Sequence, residues 1–160
     1  MNKEKENKKI SFIADCMLGT LAKRLRIFGF DTLYFTKIDD GELVRIADVQ
    51  NRVILTRDIK LTERKLAKSF IVIKSDILEN QVIQIEEEFG ISLHGVPKIS
   101  RCLICNTELK EATKRDVIGK VPPFVFLKHR EFTYCPECNK YYWAGTHYKN
   151  TEVQLKRKAD

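Results

Sequence analysis

The sequence predicts an α/β fold: a mainly parallel sheet of about four strands flanked by helices, followed by a small zinc ribbon. Three observations carry the expectation. Short apolar runs alternate with helical patterns at the spacing of βα units. The runs are followed closely by carboxylates, as at Asp15 and Asp58. Beyond residue 98 the pattern changes, and two pairs of cysteines appear, Cys102 with Cys105 and Cys135 with Cys138.

Residues 10–14 (Ile-Ser-Phe-Ile-Ala) read as a short buried strand running into Asp15. Leu18, Leu21, Ala22, Leu25 and Phe28 then recur at helical spacing, with Lys23, Arg24 and Arg26 off the stripe and Gly29 placed to end the helix. Residues 32–36 form a second strand. Asp39, Asp40, Gly41 and Glu42 open a helix whose core face is Leu43, Ile46 and Ala47. Residues 53–55 (Val-Ile-Leu) are a third strand ending in Thr56-Arg57-Asp58, and a helical stretch is expected over 61–68. Residues 70–74 give the fourth strand. Asp76 with Glu79 reads as a capping pair for a helix bearing Leu78, Val82, Ile85 and Phe89, which Gly90 ends.

The domains expected are a disordered charged tail over 1–9, a catalytic α/β domain over 10–97, a zinc ribbon over 98–150 and a basic tail over 151–160. A chain of 160 residues with 43% hydrophobic content holds one ordinary core plus a small appendage. No apolar stretch approaches the roughly 20 residues of a membrane span, and the polar N-terminus lacks a secretory pattern, so the expected location is cytoplasmic. The net charge is +7, and residues 98–160 carry +6 of it, with 13 basic against 7 acidic side chains. A basic appendage points to a polyanion, RNA first, or to a solvated face.

The paired cysteines read as a structural zinc site. A two-residue gap lets a tight knuckle aim both sulfurs of a pair at one ion, and Zn²⁺ takes four thiolates tetrahedrally. Two disulfides are the alternative, which an oxidising compartment would favour. Four cysteines close the coordination sphere, so Cys102, Cys105, Cys135 and Cys138 hold the fold together and leave no place for a reacting water.

In an open parallel sheet, ligands bind beyond the carboxyl ends of the strands. Asp15, Asp39, Asp40, Glu42, Asp58 and Asp76 all fall there. Gathered carboxylates raise each other's pKa unless a cation neutralises them, and Mg²⁺ or Mn²⁺ suits oxygen ligands. Such an ion activates water and stabilises a leaving oxygen, which is the chemistry of phosphodiester hydrolysis. Asp is also a favoured helix cap. That role suits Asp76 and one of Asp39 and Asp40 better than it suits Asp15 or Asp58.

Taken together, the motifs resemble the RNase domain at the C-terminus of Mut-seven-type exonucleases. They are Phe12-Ile-Ala-Asp15-x-Met17-Leu18-Gly19-x-Leu21-Ala22, Arg24-Leu25-Arg26-x-x-Gly29-Phe30-Asp31, Asp40-x-Glu42-Leu43 and Arg52-Val-Ile-Leu-Thr56-Arg57-Asp58. The similarity continues through Gln81, Arg101-Cys102-x-x-Cys105-Asn106, Cys135-Pro136-x-Cys138 and Tyr142-Trp143-x-Gly145-Thr146-His147. The resemblance implies a PIN-like nuclease core with a zinc ribbon and metal-dependent RNA cleavage. It implies catalytic acids at Asp15, at Asp40 (followed by Leu43 and, one position late, Ala47) and at Asp58 in Thr-x-Asp. These three would bind Mg²⁺ or Mn²⁺. The pattern's further acid, on a helix between the first two, has no clear counterpart; Asp39, Glu42 and Asp76 are the candidates to replace it.

For substrate binding the expected residues are Arg24, Arg26, Arg57 and Lys60, with Lys128, His129 and Arg130 of the ribbon in support. The ribbon aromatics Tyr141, Tyr142, Trp143 and Tyr148 are expected to pack rather than stack on bases, and His147 is not needed as a zinc ligand. Two other readings stand beside the ribonuclease: a noncatalytic RNA- or ribosome-binding module, and a DNA nuclease, since no residue visibly reads a 2′-hydroxyl.

Overall fold

Four strands, β1 (Ser11–Ala14), β2 (Asp31–Tyr34), β3 (Val53–Thr56) and β4 (Phe70–Val72), form a parallel sheet in the order β2-β1-β3-β4 in the computed structural model, which describes residues 10–95 and 98–143. The expected tails, Pro97, His147 and Tyr148 lie outside the described residues. The chain divides into two units, one comprising residues 1–25 and 30–93, the other residues 26–29 and 94–160.

In the first unit, β1 is central because its side chains are apolar toward both faces: Phe12, Ile13 and Ala14 are fully buried. The chain runs from β1 outward to β2 through helix α1 (Gly19–Ile27), then reverses to β3 through α2 (Asp40–Gln50). Right-handed crossovers in opposite directions place these helices on opposite faces. Leu43, Val44 and Ala47 of α2 pack with Ile13, Ile54 and Leu61, the last from the single-turn α3 (Ile59–Thr62). On the other face, Phe12 meets Phe89 of α4 (Leu78–Phe89) edge-on, ring centroids 5.3 Å apart. At the amino edge the Arg52 guanidinium grips Asp31 through two bonds, 2.8 and 3.1 Å, and donates to the Phe12 carbonyl, tying the starts of three strands together.

Helix ends follow the local chemistry. Asp39 caps α2, accepting from the Gly41 and Glu42 amides, and Asn51 ends it in the left-handed region at φ 52°. Gly90 does the same for α4 at φ 62°. Two expectations change. The helix anticipated over 61–68 is one turn at 59–62: Leu61 in the turn and Ala67 beyond it reach the core, while Leu66 lies exposed. Asp76 is no cap: Ile77 holds the cap position of α4, and it is Ser75 Oγ that accepts a backbone bond, from the Ile77 amide.

In the second unit, β5 (Lys110–Ala112), β6 (Phe132–Cys135) and β7 (Lys140–Trp143) form an antiparallel sheet in that order. The short α5 (Pro123–Lys128) lies between β5 and β6 in sequence, and its Val125 packs with Val117 and Phe132. Trp143, Tyr141 and Phe126 border that cluster, while Tyr142 is buried with Ile27, Ile99, Cys102 and Cys135. Among the described residues, no helix is long and apolar enough to cross a membrane.

Candidate active site and metal centre

The order β2-β1-β3 reverses direction at β1, so the switch point lies between the carboxyl ends of β1 and β3. Asp15 directly follows β1, and its amide donates to the Leu55 carbonyl of β3 at 2.9 Å, which keeps the two strand ends side by side. Thr56, the last residue of β3 and fully buried, donates its hydroxyl to Asp15 Oδ2 at 2.9 Å and accepts the Asp58 amide at 2.9 Å. One hydroxyl thus orients the Asp15 carboxylate and the turn that carries Asp58. Asp58 Oδ1 in turn accepts the Lys60 amide, making this acid the cap of α3 as well.

Asp40 occupies the first turn of α2, with Asp39 taking the capping role, and it faces Arg64 at 3.6 Å. Its charge reaches the same edge as Asp15. The Cys16 thiol is pushed up by its hydrogen bond to Asp15, by burial and by the Asp15 and Asp40 charges. Tyr34 is raised too, by burial first and then by the charges at Cys16 and Asp15. The edge is therefore electronegative. Tyr34 also fixes the turn after Asp15: its hydroxyl donates to the Cys16 carbonyl at 2.9 Å. Its ring lies where a Cβ on Gly19 would come within 2.7 Å, so only glycine admits it there.

The four expected substrate-binding residues separate into two pairs. Arg57 is half-buried beside Asp58 and Lys60 is exposed on α3. Arg24 and Arg26 are buried, at 2% and 3% exposure. Arg24 bonds the Leu93 carbonyl at 3.4 Å and faces Glu79 at 3.6 Å. Arg26 belongs to the second unit, where its guanidinium donates to the Leu103 and Ile104 carbonyls at 2.9 and 3.3 Å, inside the first cysteine knuckle. Helical spacing marked both as off the apolar stripe; backbone carbonyls far away in sequence engage them inside.

The second unit gathers Cys102, Cys105, Cys135 and Cys138 so that their sulfurs all lie within 4.8 Å of one another, and all are free thiols. Tetrahedral zinc with bonds of about 2.3 Å sets sulfurs about 3.8 Å apart, so the donor set fits the ion. Each knuckle is closed in the same way. The amide of the residue after the second cysteine donates to the carbonyl of the first, Asn106 to Cys102 at 3.0 Å and Asn139 to Cys135 at 2.9 Å. Both asparagines have positive φ, 68° and 54°, a conformation that Asn tolerates better than most residues. The repeat Cys-x-x-Cys-Asn was legible in the sequence in both places, and the second Asn is the signal that sequence reasoning missed.

Burial works against ionisation of Cys105, yet hydrogen bonds with Thr107 and with the Cys138 and Cys135 thiols bring it down to about 6. Cys138 is pushed up to about 12, chiefly by its bond to Cys105 and then by burial. One thiolate is thus already favoured, and an ion would displace the remaining protons. Tyr142 supports the cluster. Its hydroxyl lies 3.2 Å from Cys102 Sγ while accepting the Leu103 amide at 3.4 Å, which leaves its proton for the sulfur. Burial and then Cys102 raise the phenol, keeping it a donor. Partners of this kind typically account for 10- to 100-fold in metal affinity, so Tyr142→Phe is expected to weaken zinc retention by about tenfold in competition with a chromophoric chelator.

Among the described residues, the cysteines are the only group of three or more His, Cys, Asp or Glu side chains close enough to share an ion. Asp15, Asp40 and Asp58 are less tightly gathered. Their oxygens are donors of the type that hard divalent ions take. Comparisons with curated proteins and with solved structures give no match. The Mut7-C RNAse domain profile matches residues 10–155, nearly the whole chain, and its RNase character accords with an acidic switch point and a four-cysteine metal centre. The chain belongs to the Mut7-C RNAse domain family.

Proposed function

We propose that the protein is a metal-dependent ribonuclease of PIN-like type that hydrolyses RNA phosphodiester bonds at the carboxyl edge of its parallel sheet. The observation that carries the reading is the Thr56 hydroxyl, which joins Asp15 of one strand end to the Asp58 turn of the next at the switch point. A fully buried hydroxyl that bonds one acid's carboxylate and the next acid's backbone amide serves the orientation of Asp15 and of the turn that carries Asp58. A divalent ion, Mg²⁺ or Mn²⁺, would supply the Lewis acidity that activates water and steadies the leaving oxygen. Asp15, Asp40 and Asp58 are the residues that would hold it.

The chain's own groups do the rest. Thr56 holds Oδ2 of Asp15 by a hydrogen bond and so fixes the orientation of the carboxylate. Arg57, beside Asp58, is placed to donate to phosphate oxygens, and Lys60 adds charge from α3. Arg24 and Arg26 take no part in this reading, because both are engaged inside the fold. The zinc ribbon adds a basic surface for the RNA.

The test is digestion of matched single-stranded RNA and DNA by the purified protein, with EDTA, Mg²⁺ or Mn²⁺. Cleavage of RNA alone, dependent on the divalent ion, is expected. Cutting of DNA at an equal rate would make it a general nuclease, and binding without cutting under every condition would make it an RNA-binding module. Thr56→Val, which keeps the side-chain volume but removes the hydroxyl, is expected to slow cleavage by about tenfold or more by releasing Asp15 and the Asp58 turn. Initial rates at saturating RNA check it.

A further inference from the structure

We propose that the edge carrying the acids also carries a base-binding rim, formed by Phe35, Met17, Ile59 and Ile77, against which the bases of the RNA strand lie during cleavage. The proposal rests on the nuclease reading and adds how the substrate is held. Each of the four parallel strands is followed by a segment bearing one large, exposed apolar side chain. Phe35 follows β2 at 38% exposure, Met17 follows β1 at 65%, Ile59 follows β3 at 64% and Ile77 follows β4 at 58%. Single exposed apolar residues are ordinary, and Val49, Leu66, Phe70 and Ile83 of the same unit are examples. What sets the rim apart is that no segment of the acidic edge lacks one.

Charge decides the occupant. Three of the four segments place an exposed lysine within three residues of the apolar side chain: Lys37 near Phe35, Lys60 beside Ile59, Lys74 near Ile77. Alternating apolar and cationic groups match a strand that presents bases and phosphates together. A purely apolar partner would leave those lysines without a role. Size agrees as well. Neighbouring strands stand about 4.8 Å apart, so the four segments, in the order Phe35, Met17, Ile59, Ile77, span about 14 Å. That length accommodates a short run of nucleotides. The second of these side chains lies two residues after Asp15 and the third directly follows Asp58, so bases on the rim bring the intervening phosphates over the acids.

The test compares two ligands with the full chain in Ca²⁺: a short fluorescent oligoadenylate and an abasic ribose-phosphate chain of the same length. Binding is read by anisotropy, and cleavage in Mn²⁺ is followed alongside. The oligoadenylate is expected to bind about tenfold or more tightly than the abasic chain. A Met17→Ser, Ile59→Ser, Ile77→Ser protein should lose most of that difference while keeping its affinity for the abasic chain. All three side chains are exposed, so the variant is expected to melt as the wild type does; Met17→Ser alone serves if it does not. Equal affinity of the wild type for both chains, with RNA cleavage intact, overturns the rim and leaves the nuclease. A base preference unchanged in the variants overturns it equally. Absence of both binding and cleavage overturns the nuclease reading, and the rim with it.

Discussion

An Asp15→Asn protein is expected to fold, keep its metal centre and leave RNA uncut. Asparagine has the shape of aspartate, and its carbonyl oxygen can still accept the Thr56 hydroxyl that Oδ2 accepts now at 2.9 Å. The backbone bond from residue 15 to the Leu55 carbonyl does not involve the side chain. What disappears is the negative charge at a position only 8% exposed, where the charge brings the fold little and the proposed chemistry much. Losing a carboxylate that would hold the water-activating ion is expected to cost about 10²–10⁴-fold in rate, the range of a lost catalytic group. A drop in Mn²⁺-dependent cleavage of that size, with an unchanged melting curve and zinc content, is the expected pair of results. Full cleavage by the variant would remove Asp15 from the site. Because the Cys16 thiol is held up by Asp15, the variant should also ionise Cys16 at lower pH, visible as faster alkylation near neutrality.

The second large effect is expected from stripping the metal from the cysteines. Zinc binding in small modules of this kind is worth on the order of 10 kcal/mol, and a three-stranded sheet with a single short helix has little else to hold it. Strong chelation should abolish protection from hydrogen exchange across β5, β6 and β7. Residues 26–29 should lose protection at the same time, since they cluster with this unit and Arg26 bonds the carbonyls of the first knuckle. The central strands β1 and β3 should stay protected, because their core of Ile13, Leu43, Val44 and Ile54 contains no ribbon residue. Retained protection in β6 after complete metal removal would show that packing around Phe132 and Val125 suffices.

The legible parts of the sequence were those where one residue's environment is set by its near neighbours. Strand ends stood out because an apolar run stops at a carboxylate, as at Ala14-Asp15, and the knuckles stood out because the ligand spacing is local. The switch point needed one more fact, the placement of β1 between β2 and β3, which periodicity does not encode. The burial of Arg24 and Arg26 was not legible, for the same reason. A buried arginine is permitted only by acceptors supplied elsewhere, here Leu93 and Leu103, distant in sequence. Tyr142 was expected to pack, and it does, but its hydroxyl has a further use that no pattern around residue 142 announces.

The two knuckles share a backbone yet differ in what they show to the outside. In each, the first cysteine is fully buried, Cys102 and Cys135, while the second is reachable, Cys105 exposed and Cys138 partly so. Oxidants, alkylating reagents and competing chelators therefore meet the centre from one side only. Oxidative damage should begin at Cys105 or Cys138, with the ion still gripped by the inner pair, and a mild reductant applied while the oxidation is still at the sulfenic or disulfide stage should restore the centre before the ribbon comes apart.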